Sequence, residues 1–257
     1  RALAGGQTLV NVMKARAAAP DVLVDLADLD ELRTISFSAD GTALELGAMV
    51  TSAQIVVSSE VEVARPVLAE VAATIADVQV RNRGTIGGNV CVNDPTNHFP
   101  PLLVALDASF TIRGTDGERV VSAEDFFVGV YETAVHEGEL LTTISVPTRR
   151  PGTGDAMTGL TLGAHGTYVV SAAASVGPDG TRVAIGCVSS VPVRATAMEE
   201  RLAGGDYSES AVRTAAEGLG ANLDPPGDVH ASADYRRALA EISAVRAVLQ
   251  AVERAGS

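Results

Sequence analysis

The chain is poor in aromatic residues and has no segment suited to a membrane span. It contains no tryptophan, and aromatic residues make up 4% of its 257 residues, against 46% for all hydrophobic residues. Aliphatic side chains must therefore form most of the core, and the length is sufficient for two domains. No apolar run is long enough to cross a bilayer, and no signal peptide is visible, so we expect a cytoplasmic protein.

Cysteine is also scarce, with Cys91 and Cys187 alone. Two thiols are too few for an iron–sulfur cluster with four cysteine ligands, and too few for a disulfide scaffold in a chain of this length. The histidines and cysteines show no metal-type spacing. Both cysteines have apolar neighbours, which predicts buried thiols and no metal site in this chain.

Positive charge is in deficit, and the net charge of −13 argues against nucleic acid and anionic membrane surfaces as partners. Solubility alone would explain this charge. Serine, histidine and aspartate are present but share no recognisable hydrolase motif. This favours a protein whose chemistry belongs to a cofactor that the chain holds in place.

Glycine, by contrast, is concentrated in the stretch from Gln79 to Pro101. Gly84, Gly87 and Gly88 fall within five positions there. Such a density indicates backbone lying close against something, because a glycine has no Cβ to prevent the approach. The stretch also carries Thr85, Asn89, Arg81 and Arg83, which suit an anion such as a pyrophosphate. A tight turn between buried segments is the alternative interpretation.

A second glycine pair lies near the start, in the segment from Ala4 to Thr8. Gly5 and Gly6 follow an apolar start and precede a helical pattern at Leu9, Val10 and Met13, so a strand is expected to turn into a helix here. The segment matches neither Gly-x-Gly-x-x-Gly nor the P-loop with its lysine, which argues against a classical dinucleotide fold and against a P-loop.

Together, Ala4-Gly5-Gly6-Gln7-Thr8 and Arg81-Asn82-Arg83-Gly84-Thr85-Ile86-Gly87-Gly88-Asn89 resemble the FAD-binding medium subunit of molybdenum hydroxylases. This is the carbon monoxide dehydrogenase and xanthine dehydrogenase family. The resemblance implies an α+β FAD-binding fold of the vanillyl-alcohol oxidase and p-cresol methylhydroxylase type, with two subdomains and the cofactor between them. A smaller α+β C-terminal domain, a three-stranded antiparallel sheet with helices, would follow.

A linker-like stretch at 148–154, rich in glycine, proline and charge, marks the expected domain boundary. We therefore predict an FAD-binding domain at 1–150 and a C-terminal domain at 155–257. An upstream strand and helix usually precede the first glycine motif in this family. The N-terminal segment of the FAD-binding domain is accordingly expected to be incomplete in this sequence.

The resemblance also implies which residues bind the cofactor. The FAD pyrophosphate would be held by Ala4, Gly5, Gly6, Gln7 and Thr8 on one side and by Thr85, Gly87, Gly88 and Asn89 on the other. Tyr168 aligns with an aromatic residue that lies against the isoalloxazine, although a half-buried strand tyrosine is the alternative. The apolar pair Leu140 and Leu141 would lie near the flavin, with Leu141 as the cofactor residue, or else would be ordinary core.

Two positions depart from the family pattern. Many relatives carry an aspartate where this chain has His98, and that carboxylate helps to hold the ribityl or phosphate portion of FAD. His98 could donate a hydrogen bond instead of accepting one. Many relatives also carry a basic residue shortly before the Tyr168 segment, where this chain offers only His165 as a substitute.

The implied function is electron transfer within a complex. A partner small subunit would carry two [2Fe–2S] clusters, and a partner large subunit would carry molybdopterin, in a dimer of heterotrimers. This chain would pass electrons through FAD to quinone, NAD or oxygen, with peripheral attachment to a quinone-linked membrane chain as one arrangement. Carbon monoxide, purines, aldehydes and N-heterocycles are candidate substrates of the complex. A flavin-free assembly subunit and a stand-alone FAD reductase of the same fold are the alternatives.

Overall fold

The computed structural model describes residues 1–163 and 166–256, which form a mixed α and β structure. The strands are β1 (Ala2–Leu3), β2 (Val24–Asp25), β3 (Ile35–Phe37), β4 (Ala43–Gly47), β5 (Ser109–Gly114), β6 (Gly117–Ser122), β7 (Phe127–Gly129), β8 (Glu132–Thr133), β9 (Leu140–Pro147), β10 (Gly154–Thr161), β11 (Tyr168–Gly177), β12 (Gly180–Gly186) and β13 (Val193–Arg194). The helices are α1 (Leu9–Lys14), α2 (Ser52–Val57), α3 (Ser59–Ala64), α4 (Pro66–Thr74), α5 (Val78–Arg83), α6 (Ile86–Val92), α7 (Phe99–Ala105), α8 (Ala123–Phe126), α9 (Thr196–Leu202), α10 (Glu209–Ala216) and α11 (Ala233–Ala255).

The N-terminal part of the chain contains a five-stranded sheet and two small two-stranded sheets, one of which is the hairpin of β7 and β8. Strands β1 and β2 form a small parallel pair, and β3-β4-β9-β5-β6 form a five-stranded antiparallel sheet. Alternating apolar residues on β4, β5 and β9 point into one core shared with α2, α3, α4, α6 and α7. The separate small pair and the larger sheet agree with the expected two subdomains.

The C-terminal part is a second antiparallel sheet, β10-β11-β12-β13, covered by the long helix α11. Its core is rich in alanine and valine. These small side chains on β11 and α11 let the helix approach the sheet closely. A fourth strand of two residues, β13, extends the three strands that were predicted. The predicted domain limits at 150 and 155 stay a prediction.

A buried ion pair joins β10 to the N-terminal part. The Arg65 guanidinium, just before α4, donates to both oxygens of Asp155, at 2.8 and 2.9 Å. Its Nε also donates to the Pro147 carbonyl at 2.7 Å. Both charges are therefore paired within the protein, as burial requires.

The Gly-rich stretch is helical, which was not predicted. Residues 78–92 form α5 and α6, with Gly87 and Gly88 inside α6. Glycine disfavours helices, but tertiary contacts override that preference here, as described below. In the part of the chain that the structure describes, no helix is both long and apolar enough to span a membrane.

Candidate cofactor site

The two glycine segments, roughly eighty positions apart in sequence, are in direct contact. A Cβ added to Gly5 would lie 1.9 Å from the Arg83 carbonyl oxygen, and one added to Gly88 would lie 3.8 Å from the Ala4 Cβ. The Gln7 side chain lies 3.6 Å from the corresponding position of Gly84. Gly5 is therefore needed so that the backbones can meet.

The first segment is an open turn between β1 and α1. Gly6 adopts φ +73°, a left-handed conformation that L-residues with a side chain rarely take. Within the described residues, the backbone N–H groups of Gly5, Gly6, Gln7 and Thr8 donate to no other group of the chain. Such N–H groups are suited to bind an anion, because backbone donors that lack an internal partner can donate hydrogen bonds to a negatively charged group.

The second segment is organised by Thr85, which caps the start of α6. Its Oγ1 accepts a hydrogen bond from the Gly88 N–H at 3.0 Å, and its carbonyl accepts one from the Asn89 N–H at 3.0 Å. The Gly87 N–H donates to the Ala48 carbonyl at 2.9 Å, and a Cβ at Gly87 would lie 2.5 Å from that oxygen. These three amides are thus already bonded within the chain. Gly87 has a packing role that the sequence did not reveal, and its role toward the cofactor stays a prediction.

The Asn89 side chain provides the polar atom that lacks a partner at this contact. Its Oδ1 is buried and has no hydrogen-bond partner among the described residues. A buried polar atom without a partner is costly, so its presence indicates a group that the protein receives from outside. FAD is of the right chemistry, because its hydroxyl groups can donate to this oxygen and its phosphates can accept from the backbone N–H groups of residues 5–8. The residues at the contact therefore fit the implied cofactor.

A polar loop leads from α6 to His98, at the start of α7. Asn97 ties this loop to the glycine helix, because its Nδ2 donates to the Asn89 carbonyl at 2.8 Å. The His98 ring is 6% exposed, and its Nδ1 lies 3.2 Å from Thr74 Oγ1. Since the Thr74 hydroxyl already donates to the Val71 carbonyl, Nδ1–H is the donor toward Thr74 and Nε2 keeps its lone pair.

Burial also fixes the charge of His98. Removal from water disfavours the imidazolium and lowers its pKa to about 4. The ring is therefore neutral at pH 7. Where many relatives are expected to carry a carboxylate, this chain places an uncharged ring.

Tyr168, the first residue of β11, packs against His98. The ring centroids are 4.4 Å apart, with an angle of 52° between the planes. The tyrosine ring also contacts Gly159 on β10, where a Cβ would stand 2.7 Å from its Cδ1. Burial raises the pKa of the Tyr168 hydroxyl. The structure thus joins the two aromatic positions, one from each half of the chain, while His165 lies outside the described residues.

Leu141 occupies the main core instead of an open surface. It is 5% exposed and packs with the other core residues of β9. Its neighbour Leu140 faces the other way, into a small cluster around Leu26, Leu32 and Met49 that also contacts Ala4. Ordinary packing accounts for Leu141, so its contact with the flavin stays a prediction, and Leu140 is the member of the pair nearer to the first glycine segment.

Two arginines near the contact, Arg81 and Arg83, differ in whether their side chains are already hydrogen-bonded. The Arg81 guanidinium donates to the carbonyls of Ile75 and Ala76 at 3.0 and 2.8 Å, which stabilises the end of α4. Arg83 is exposed and has no ion-pair or hydrogen-bond partner in the described part of the chain. Arg83, whose carbonyl touches Gly5, is thus the arginine of the two that is available to an anion.

The two cysteines differ in burial. Cys187 is buried, as predicted, whereas Cys91 is only partly buried and packs on the main core. Burial raises the pKa of each thiol to about 12, so both are protonated at neutral pH.

Comparison with known proteins identifies the family. The model of the FAD binding domain in molybdopterin dehydrogenase matches residues 1–149. The chain belongs to this family. The CO dehydrogenase flavoprotein C-terminal domain matches residues 168–251 of this medium chain. The resemblance inferred from the two glycine motifs is confirmed, and so is the fold class.

The relatives of this medium chain extend over almost its whole length. It is 36% identical to the carbon monoxide dehydrogenase medium chain of Hydrogenophaga pseudoflava, over 93% of this chain and 84% of the relative. A solved structure of carbon monoxide dehydrogenase from that organism, lacking the Mo-pyranopterin moiety, superimposes with a TM-score of 0.95 and 37% identity, over 99% of this chain and 90% of the other. The structure of quinoline 2-oxidoreductase from Pseudomonas putida 86 superimposes with a TM-score of 0.94 and 34% sequence identity, over 100% of this chain and 90% of the other.

The match establishes what kind of protein this is. It is an FAD-binding medium chain of a multi-subunit molybdenum hydroxylase, hence an oxidoreductase subunit with a role in electron transfer. The predicted cofactor, FAD, is confirmed.

Proposed function

We propose that FAD binds along the line of contacts from Ala4 to Tyr168, with its pyrophosphate where the two glycine segments meet. The single observation that carries this proposal is the approach of Gly5 to the Arg83 carbonyl, which brings the unpaired amides of 5–8 beside Asn89 and Arg83. Two phosphate charges require several donors in a small space, and this contact supplies them.

The isoalloxazine end would lie toward His98 and Tyr168. The path is continuous, because Gly88 lies beside Ala4, Asn97 holds Asn89, and the next residue, His98, contacts Tyr168. The aromatic ring of Tyr168 can cover one flavin face and exclude water there. The neutral His98 adds no charge next to it, and Nε2 is free to accept a hydrogen bond.

When bound, FAD supplies the redox chemistry, taking up electrons and releasing them to an acceptor. The chain binds and orients it. We infer that the electrons come from [2Fe–2S] clusters of a small subunit, after substrate oxidation at molybdopterin in a large subunit. We further propose that the complex is a dimer of heterotrimers in the cytoplasm. Its electron acceptor would be quinone, NAD or oxygen, with peripheral contact to a membrane chain if quinone is used.

The substrate of the complex is not set by this chain. Two solved structures with similar sequence identity to this chain share its fold, yet one is named carbon monoxide dehydrogenase and the other quinoline 2-oxidoreductase. Carbon monoxide and N-heterocycles are therefore both candidates. The large subunit, where the substrate would bind, decides between them.

Purification from the native host tests the proposal. We expect a complex that contains an iron–sulfur subunit and a molybdenum subunit and that releases FAD on denaturation. A complex with both subunits that releases no FAD, and whose medium chain cannot bind added FAD, would support an assembly subunit. A yellow chain that purifies alone and reduces its own substrate would support a stand-alone reductase.

A further inference from the structure

The hairpin of β7 and β8 lies beside the loop that connects the glycine helix α6 to His98. Two residues that are not glycine adopt the left-handed conformation at this contact: Asn93 with φ 44° and Tyr131 with φ 58°. Such conformations are costly for residues with a side chain, so the surrounding contacts must impose them. Neither residue belongs to the cofactor contacts described above.

The hydrogen bonds that impose them run in both directions. The Asn93 side chain, 1% exposed, donates from Nδ2 to the Gly129 carbonyl at 2.6 Å and to the Glu132 carbonyl at 3.1 Å. In return, the Tyr131 N–H donates to the Asn93 carbonyl at 3.2 Å. The hairpin and the end of α6 are therefore fixed to each other through Asn93.

A second set of bonds extends this attachment along the loop. The exposed Tyr131 hydroxyl donates to Asp94 Oδ2 at 3.1 Å. The other oxygen of Asp94 accepts from the Thr96 N–H at 2.9 Å and from the Thr96 hydroxyl at 2.7 Å. Asp94 thus shapes the turn that delivers Asn97 to Asn89 and His98 to Tyr168.

We propose that Tyr131 and Asn93 are positioning residues for the flavin site, which act by holding loop 93–98 so that Asn97 and His98 keep their places. This proposal rests on the proposed function, since it assumes that FAD binds beside that loop. Neither residue touches the cofactor; each acts through the loop. Loosening the loop therefore weakens FAD binding and changes the surroundings of the flavin, while the folded core is retained.

Two variants test this. Tyr131→Phe removes one hydroxyl from a side chain that is 64% exposed. Asn93→Gly deletes the amide while favouring the left-handed backbone that Asn93 adopts. Tyr235→Phe, on α11 and 48% exposed, is the matched control, because it removes a hydroxyl that takes no part in the hydrogen bonds given above for loop 93–98.

The purified chain is titrated with FAD, and the dissociation constant, the visible circular dichroism of the bound flavin and its midpoint potential are measured for each variant. We expect Tyr131→Phe to raise the dissociation constant roughly threefold to tenfold, and Asn93→Gly to raise it further, with an altered flavin spectrum and a shifted potential. The thermal midpoint of the FAD-free Tyr131→Phe variant should match that of the wild type.

The outcomes separate this proposal from the one on which it rests. If the wild type binds FAD and both variants match it in affinity, spectrum and potential, the positioning role is refuted while FAD binding stands. If Tyr131→Phe lowers the thermal midpoint but leaves all flavin properties unchanged, the hairpin is merely structural and the proposal also fails. A wild type that binds no FAD would instead refute the proposed function.

Discussion

Replacing Gly5 by alanine should separate the two glycine segments. The new Cβ would lie 1.9 Å from the Arg83 carbonyl oxygen and 2.7 Å from its carbon, and both are backbone atoms that cannot rotate away. An ordinary contact needs more than 3 Å, so the segments must move apart by about 1 Å. Overpacking of this kind costs about 1–3 kcal/mol, which would lower the melting temperature by roughly 3–10 °C for a chain of this size.

The effect on the cofactor should exceed the effect on folding. A displacement of about 1 Å is large against a hydrogen bond of about 3 Å, so the pyrophosphate would lose donors on one side. We expect Gly5→Ala to raise the FAD dissociation constant at least tenfold, measured by quenching of flavin fluorescence in a titration. Gly204→Ala is the control, because no atom lies within 4 Å of a Cβ at that position. If Gly5→Ala binds FAD as tightly as Gly204→Ala, the reasoning about this contact is refuted.

Three further substitutions test other parts of the account. Asp155→Ala leaves the buried Arg65 charge without its partner and should lower the free energy of unfolding, measured in urea, by about 3–5 kcal/mol. The control Asp179→Ala breaks an exposed pair with Arg150 and should lower it by at most about 1 kcal/mol. Equal losses would contradict the role of the buried pair. His98 is neutral in the folded chain with a pKa of about 4 and protonates near pH 6.5 when unfolded, so its contribution to stability is present above pH 6.5 and is lost as the pH falls toward 4, by roughly 3 kcal/mol. His98→Phe should remove this part of the pH dependence; parallel profiles for the wild type and His98→Phe would count against a buried neutral ring. Arg83→Ala should weaken FAD binding roughly threefold and leave riboflavin binding unchanged, because only FAD carries the pyrophosphate. The control Arg246→Ala, at another exposed arginine, should change neither affinity. An equal loss of riboflavin affinity would show that Arg83 does not act on the pyrophosphate.

Glycine density predicted close backbone approach around Gly88, and the resemblance carried by both glycine motifs predicted that Gly5 and Gly88 belong to one site. The sequence could not show which backbone is approached. Gly87 packs on Ala48, and Gly5 on Arg83, through contacts between residues distant in the chain. The helix α6 was missed for the same reason, since only these contacts offset the poor helix propensity of its two glycines.

Asp155 illustrates a second limit. It follows a stretch of glycine, proline and charge that resembles a linker, yet it lies buried in β10 because Arg65, ninety positions earlier, neutralises it. A charge in a strand is read as exposed unless its partner is known. Likewise, the left-handed conformations of Tyr131 and Asn93 are visible only in the folded chain.

The most direct test of the central claim is a structure of the purified chain with FAD bound. The account predicts pyrophosphate oxygens at about 3 Å from backbone nitrogens of residues 5–8, with Asn89 on the other side of the phosphates and the isoalloxazine toward His98 and Tyr168. A pyrophosphate bound away from the contact between Gly5 and Arg83, with the amides of residues 5–8 facing only water, would contradict it.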